Sequence, residues 1–271
     1  MRIPNPLSGP SGLKILLRRL PIVKLLLRHY TSPFGTSQAK PILETHFEVN
    51  NHAKKPWQNI NLQGEVEVQY LYTTMLGRQL LPFGHTDLSL VVLPIEDKPT
   101  GLSIVNKEMA LGKGHSRLHN WLSQVEELWD KNKKSGNKST VYQWLDYVGK
   151  LTSQHPNGYY SVLYGGAGTN LASFVLSPGS KNGQIVAGIN TSGFVADIDT
   201  FLFQTQDGYE AHYLCAFLNA PFVDETIKPH QTRGQWGERH IYRRPFEVVP
   251  CVRHNKRGPL LAKTAMKKGT T

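Results

Sequence analysis

The chain is 271 residues long, with 31 Lys and Arg residues against 20 Asp and Glu residues, a formal net charge of +11 and an isoelectric point near 9.6. Its 39% hydrophobic and 10% aromatic residues suffice for a sizeable core and exclude a wholly disordered protein. Its two cysteines, Cys215 and Cys251, belong to no CxxC pair, which excludes a disulfide scaffold and argues against a structural zinc site.

The most apolar stretch near the N-terminus, residues 13–30, is interrupted by five basic residues. Such a stretch serves neither as the core of a signal peptide nor as a membrane span. We therefore expect a protein of the reducing cytoplasm with no membrane partner. An Arg-rich start free of acidic residues also fits a mitochondrial presequence, an alternative that ranks below a simple N-terminal extension.

The positive charge is concentrated at both ends of the chain. Residues 1–43 carry a net charge of +7, residues 44–227 one of −5 and residues 228–271 one of +9. Concentrated positive potential attracts polyanions, above all nucleic acids, whose condensed counterions are released on binding. The last dozen residues are typical of a solvated tail, whereas the basic groups of residues 228–244 are interleaved with histidine, glutamine and aromatic residues.

Changes in composition divide the chain into four predicted parts. They are a basic irregular N-terminal extension (1–43), a strand-rich connector module (44–112), a domain of mixed helices and strands (113–250) and a basic flexible tail (251–271). Within the extension, residues 13–20 predict a short amphipathic helix that Pro21 ends.

Two apolar runs in the connector predict strands. Residues 65–76 begin with strict alternation that places Val66 and Val68 on one face. Residues 88–95 form a short apolar run ended by Pro94, which is typical of a buried strand. Later in the chain, Gly, Asn and Pro turns separate four more predicted strands, at residues 159–164, 173–176, 184–189 and 198–205.

The clearest helix begins at Ser116, a suitable cap, and carries one apolar stripe. The stripe consists of Leu118, Trp121, Leu122, Val125 and Trp129. Because both tryptophans share this stripe, we expect them in the core. A polar linker at residues 131–139 leads to a second predicted helix, residues 140–154, with Tyr142, Leu145 and Val148 on its inner side.

A last amphipathic helix opens after Asp207-Gly208 and stops at residues 219–221. Its apolar stripe consists of Ala211, Leu214, Cys215 and Leu218. The predicted fold class is therefore α+β, with mixed or antiparallel strands and a few amphipathic helices.

The glycine-rich residues 165–169 follow a predicted strand, as a dinucleotide- or S-adenosylmethionine-binding loop would. Here another predicted strand follows instead of a helix whose N-terminus could face an anion. We therefore expect a hairpin-like turn.

Hydrolytic and metal motifs are incomplete as well. Asp224, Glu225 and Lys228 lack the spacing of a nuclease cluster. Cys215 lies on an apolar stripe, as a buried structural thiol would, and residues 251–254 supply only half of a metal site. These patterns predict a binding module with no catalytic, cofactor-binding or metal-binding residues.

Residues 228–244 are the candidate DNA-binding segment. Guanidinium groups pair with phosphates or with the O6/N7 edge of guanine, and glutamine amides fit the N6/N7 edge of adenine. Gly234 and Gly237 permit the backbone of the segment to approach a DNA duplex closely. The alternative is a solvated surface in which Trp236 covers the core. The predicted DNA-binding residues are Lys228, Gln231, Arg233, Gln235, Trp236, Arg239, Arg243 and Arg244.

Several ordered segments carry a family resemblance: residues 64–95, 139–176, 200–228 and 237–250, the last reading GERHIYRRPFEVVP. Together they resemble the C-terminal target-recognition region of N6-adenine DNA methyltransferases of type I and type IIG restriction–modification and phage-defence systems. The resemblance covers about residues 44–250 and implies a target-recognition-domain-like fold. It further implies that the LNAP turn at 218–221 ends a supporting helix, that 228–244 lies beside DNA, and that 245–250 is a closing strand.

The catalytic motifs of that family are missing. Its members bind S-adenosylmethionine through a glycine-bearing acidic strand–loop motif and hold the flipped adenine with an Asn/Asp-Pro-Pro-Tyr/Phe motif. Pro4-Asn5-Pro6-Leu7 lacks both the second proline and the aromatic residue.

The resemblance therefore implies a sequence-specific recognition module for double-stranded DNA that is catalytically incomplete alone. S-adenosylmethionine is then expected on a partner methyltransferase or restriction subunit. Two alternatives stay open: part of an active site-specific DNA methyltransferase complemented in trans, or a non-specific basic nucleic-acid-binding protein.

Overall fold

The computed structural model describes residues 22–25, 41–46, 57–98, 101–179, 185–186, 189–197, 200–234, 237–238 and 240–249, with 22–25, 185–186, 233–234 and 237–238 described by their backbone alone. The predicted helix at residues 13–20 and the predicted tail at residues 251–271 lie outside these ranges.

The first sheet has five strands in the order β3-β2-β1-β7-β4, and every neighbouring pair is antiparallel. Its strands are β1 (Ile22–Leu25), β2 (Ile42–Thr45), β3 (Gln63–Glu65), β4 (Leu71–Thr74) and β7 (Ser89–Val92). Strand β7 confirms the buried strand predicted within residues 88–95. The run at residues 65–76 is not one strand, because a short 3-10 turn at Val68–Tyr70 separates β3 from β4.

Three short hairpins each form a two-stranded sheet of their own. They are β5 (Leu80–Leu81) with β6 (Gly84–His85), β8 (Ile95–Lys98) with β9 (Gly101–Ile104), and β12 (Ile185–Val186) with β13 (Ile189–Asn190). Residues 184–189, predicted as a single strand, therefore contribute to two short paired strands.

Helices α1 (Lys107–Gly112) and α2 (Ser116–Asn132) pack on this part of the fold. All five stripe residues of α2 are buried, which confirms the predicted inner face. The predicted cap is wrong, because Ser116 is the first helical residue and no side chain of the preceding residue caps the helix. A carboxylate distant in sequence, Glu67, accepts hydrogen bonds from the amides of Arg117 and Leu118 instead.

The helix predicted over residues 140–154 is much shorter. Helix α3 (Val141–Leu145) is closed at its start by reciprocal bonds between Thr140 and Gln143 and is followed by a 3-10 turn. Val148, predicted to face inward, is 76% exposed and has a positive φ of 59°. The Asp146 carboxylate accepts hydrogen bonds from the amides of residues 151 and 152. These side-chain bonds form a local turn where the predicted helix would have continued.

The second sheet has the order β11-β10-β14 and is antiparallel. It consists of β10 (Tyr160–Gly165), β11 (Ser173–Leu176) and β14 (Thr200–Thr205), each within a predicted strand or one residue beyond it. Helix α4 (Gly208–Leu218) contacts β10, β11 and β14, and the Asp207 carboxylate caps its first turn. Helix α4 begins and ends where the sequence predicts.

Two helices and a hairpin form the last part of the described chain. Helix α5 (Pro221–Ile227) follows α4, and β15 (Arg233–Gly234) pairs with β16 (Gly237–Glu238) in a hairpin. The strand expected at residues 245–250 is wrong, because Arg244–Val248 form helix α6 with Pro245 in its first turn. Proline is well suited to that position, where its missing N–H would have had no helical acceptor.

Three clusters of buried apolar residues form the core. The first lies mainly between residues 43 and 151 and contains residues from both sides of the predicted domain boundary at 112/113. That domain boundary stays a prediction. The second lies between residues 162 and 249. The third combines Met75 and Leu88 from the first part with Leu163, Phe174 and Leu202 of the second sheet. The fold class is α+β with antiparallel strands, as predicted.

Among the described residues, no helix has the length and apolar character that crossing a lipid bilayer requires.

Candidate nucleic-acid interface

The glycine-rich residues 165–169 form part of a hairpin connection, as predicted. They join the antiparallel strands β10 and β11, so the element that follows the loop in the chain is a strand and not a helix. Gly168 has a φ of +153°, which favours glycine over residues with a side chain. The loop thus lacks the geometry of a phosphate-binding turn and is available to support another segment.

That segment is the C-terminal end of the basic stretch, residues 240–242. The Gly166 carbonyl accepts hydrogen bonds from the amides of Ile241 and Tyr242, both at 3.1 Å. Ala167 and His240 form an isolated antiparallel bridge, and Ile241 is buried. The loop therefore fixes the backbone immediately before the two adjacent arginines.

Tyr164, at the end of β10, adds a side-chain contact to this backbone. Its hydroxyl donates to the Tyr242 carbonyl at 2.7 Å. Burial raises the pKa of the Tyr164 hydroxyl well above its ordinary value, while the positive charge of Arg243 acts in the opposite direction. Tyr164 therefore stays protonated at neutral pH and remains a hydrogen-bond donor.

Gln231 reaches the same loop from the start of the basic stretch. It is only 6% exposed, and its Nε2 lies 3.4 Å from the Gly168 carbonyl oxygen, at the long end of the hydrogen-bonding range. The structure thus places this predicted base-contacting residue against protein atoms.

Lys228 is connected to the far end of the loop through Asp224. The Asp224 carboxylate accepts a bond from the Leu171 amide at 2.8 Å and forms an ion pair with the Lys228 ammonium at 2.9 Å. These contacts give Asp224 a structural role. Within the described ranges, no group of three or more His, Cys, Asp or Glu residues is arranged to hold a metal ion.

Arg243 and Arg244 lie at the start of α6. Arg243 is exposed, and its carbonyl accepts bonds from the amides of Phe246 and Glu247. Arg244 is partly exposed and pairs with the Glu247 carboxylate at 3.5 Å. Both cations are thus within reach of solvent next to the anchored residues 240–242.

The other predicted DNA-binding residues are defined less fully. Arg233 belongs to β15, where its backbone pairs with Glu238 of β16. Gln235, Trp236 and Arg239 lie outside the described residues.

His240 and Tyr242 are functional candidates that are absent from the predicted set. Their rings are parallel within 1°, with centroids 4.8 Å apart, and Tyr242 is 50% exposed. The signal in the sequence is the pattern His-Ile-Tyr, in which an apolar residue separates two ring-bearing residues, and Ile241 is the buried residue of the three.

Comparison with known proteins assigns no family. No protein-family model matches the chain, and no curated protein matches it.

Proposed function

We propose that this protein is a recognition module for double-stranded DNA that works with a separate methyltransferase or restriction subunit. One observation carries the proposal: residues 166–171 contact the basic stretch directly at two points and are connected to it at a third. The direct contacts are with Gln231 and with the backbone of residues 240–242, and the third connection runs through Asp224, which pairs with Lys228. A backbone held in this way gives the adjacent Arg243 and Arg244 a fixed starting point, and specific contacts with a duplex require cations in a defined position.

The distribution of charge supports the same proposal. Residues 228–271 carry a net charge of +9, whereas the preceding 184 residues are acidic overall. Positive charge that is concentrated in particular segments and not spread over the whole chain favours a defined contact face over general adhesion to polyanions. The chemistry of methyl transfer, with S-adenosylmethionine as cofactor, belongs in this proposal to the partner subunit, and the complex acts in the cytoplasm.

The proposal predicts that Arg243→Ala and Arg244→Ala each weaken duplex binding and lower the slope of log K against log salt by about one unit for each phosphate that the variant no longer neutralises. Equilibrium titrations with a labelled duplex at several salt concentrations measure both quantities. Lys134→Ala is the control, because it removes one charge from the exposed loop after α2. Unchanged binding and slope in both arginine variants would contradict the assigned DNA-binding surface.

Two measurements separate this function from its alternatives. Selection from a random duplex pool enriches a sequence motif if the protein reads DNA, and enriches none if it is a general basic binder. Calorimetry with S-adenosylmethionine should detect no binding to the isolated chain. Binding of the methyl donor, or methyl transfer by this chain alone, would show that it is itself a methyltransferase.

A further inference from the structure

The stacked rings of His240 and Tyr242 form an aromatic surface at the edge of the basic stretch. The parallel arrangement covers one face of the Tyr242 ring, so the half of the side chain that is exposed comes from its other face and its edge. A large aromatic ring held open to solvent loses the stabilisation that burial would provide.

The backbone under this surface is held on both sides. The Tyr242 amide donates to the Gly166 carbonyl, and the Tyr242 carbonyl accepts a bond from the Tyr164 hydroxyl. Tyr242 has a φ of +46°, a left-handed conformation that is unfavourable for a bulky residue. Strain maintained by surrounding bonds is often found at binding sites, where it keeps a side chain in a chosen orientation.

The charges around the ring indicate the kind of ligand. Arg243 and Arg244 follow Tyr242 directly, and the Glu247 carboxylate pairs with Arg244. An oriented aromatic face next to cations suits a nucleotide, because the base stacks on the ring while the cations contact the phosphates.

We infer that His240 and Tyr242 form a stacking shelf for an unpaired base in the bound DNA, an inference that rests on the DNA-binding function proposed above. A paired base inside a duplex already has both faces stacked on its neighbours. The Tyr242 ring therefore favours DNA with a bulged or terminal base over a fully paired duplex.

The test compares the full-length protein with Tyr242→Ala, using one labelled duplex with a single bulged adenine and the same duplex fully paired. The wild-type protein should bind the bulged duplex about tenfold more tightly, as expected for one base stacked on an aromatic side chain. Tyr242→Ala should lose this preference while still binding the paired duplex. Tyr242→Phe should retain it, because the ring and not the hydroxyl does the stacking.

Tyr147→Ala is the matched control, since Tyr147 is similarly exposed at 47% and lies near a lysine ammonium. It should leave the preference unchanged, and an unaltered urea midpoint of Tyr242→Ala shows that this variant folds. Equal affinity for both duplexes, or a preference that survives in Tyr242→Ala, overturns the shelf while leaving duplex recognition intact. Failure to bind either duplex overturns the proposed function itself.

Discussion

Gly193 is a residue at which the two parts of the fold meet. Its carbonyl accepts bonds from both the amide and the hydroxyl of Thr73 in β4, at 2.8 and 3.1 Å. Its φ is +142°, and a Cβ at this position would lie 2.8 Å from the Cβ of Pro156 and 2.9 Å from the Pro156 carbonyl oxygen. Both the backbone conformation and the available space therefore require glycine.

We expect Gly193→Ala to lower the free energy of unfolding by about 2 kcal/mol or more, because strain and a steric clash add. Urea denaturation followed by tryptophan fluorescence measures the change. Gly112→Ala, in a helix with open space around it, should be neutral or slightly stabilising. Gly179→Ala isolates the strain, because this glycine has a φ of +68° but, among the described residues, no atom beyond its chain neighbours lies within 4 Å of the added Cβ. A Gly193→Ala protein as stable as the wild type would contradict the packing of Gly193 against Pro156.

Single residues also show where sequence patterns succeed. The apolar stripe of α4 predicts a buried thiol at Cys215, and this residue is 3% exposed, with burial raising its pKa to about 11. Val148 matches the apolar spacing of a helix equally well but lies at the surface. The helix ends before Val148, where the Asp146 carboxylate accepts hydrogen bonds from residues 151 and 152. Apolar spacing predicts the inner face of a helix only where the helix itself continues.

At the scale of elements, helix α2 depends on a residue from another part of the chain. Glu67 is 8% exposed, and its carboxylate accepts bonds from the Leu118 amide at 2.9 Å and the Arg117 amide at 3.2 Å. A negative charge at a helix N-terminus also interacts favourably with the helix dipole. Glu67 thus caps α2 and ties it to the segment after β3.

We expect Glu67→Ala to lower the free energy of unfolding by about 1–3 kcal/mol, because two amides of the first turn lose their acceptor. Glu67→Gln should lose less, since the amide oxygen still accepts one bond. Glu127→Ala removes the same charge from the exposed face of α2 and should change stability by no more than about 0.5 kcal/mol. These values come from urea denaturation, and equal effects of Glu67→Ala and Glu127→Ala would exclude the capping role.

At the scale of the whole molecule, contacts connect the described part that contains the five-stranded sheet with the part that contains the three-stranded sheet. Residues 192–195 lie against β4 through backbone bonds between Ser192 and Leu71 and between Val195 and Thr73. The third core cluster contains side chains from both parts. Because neither part can open here without exposing shared apolar surface, the described fold should unfold as one cooperative unit.

Two probes test this cooperativity. Four tryptophans report on the first core cluster: Trp57, Trp121, Trp129 and Trp144. The thiol of Cys215 reports on the second cluster, and Cys251→Ser removes the other thiol. We expect fluorescence and a short pulse of thiol reagent to give the same urea midpoint. Two separate midpoints would mean that the parts unfold independently.

The candidate interface could be predicted from the sequence only as a region. Arg243 and Arg244 lie in solvent reach, as a basic DNA-binding segment requires, but Lys228 is paired with Asp224 and Gln231 is buried against the loop at Gly168. Charge and composition identify the segment as basic. They do not predict which of its side chains contact the rest of the protein and which are exposed to solvent.

The sequence by itself determined the features that arise within one turn or one run of residues: the buried stripe of α2, the start and end of α4, and the buried strand β7. Apolar periodicity, caps and prolines act locally, so their effects can be read from neighbouring residues. The tertiary structure alone decided the Glu67 cap and the anchoring of residues 240–242 on the glycine-rich loop. These two features join groups 50 to 78 positions apart in the chain, and only folding brings such groups within hydrogen-bonding distance.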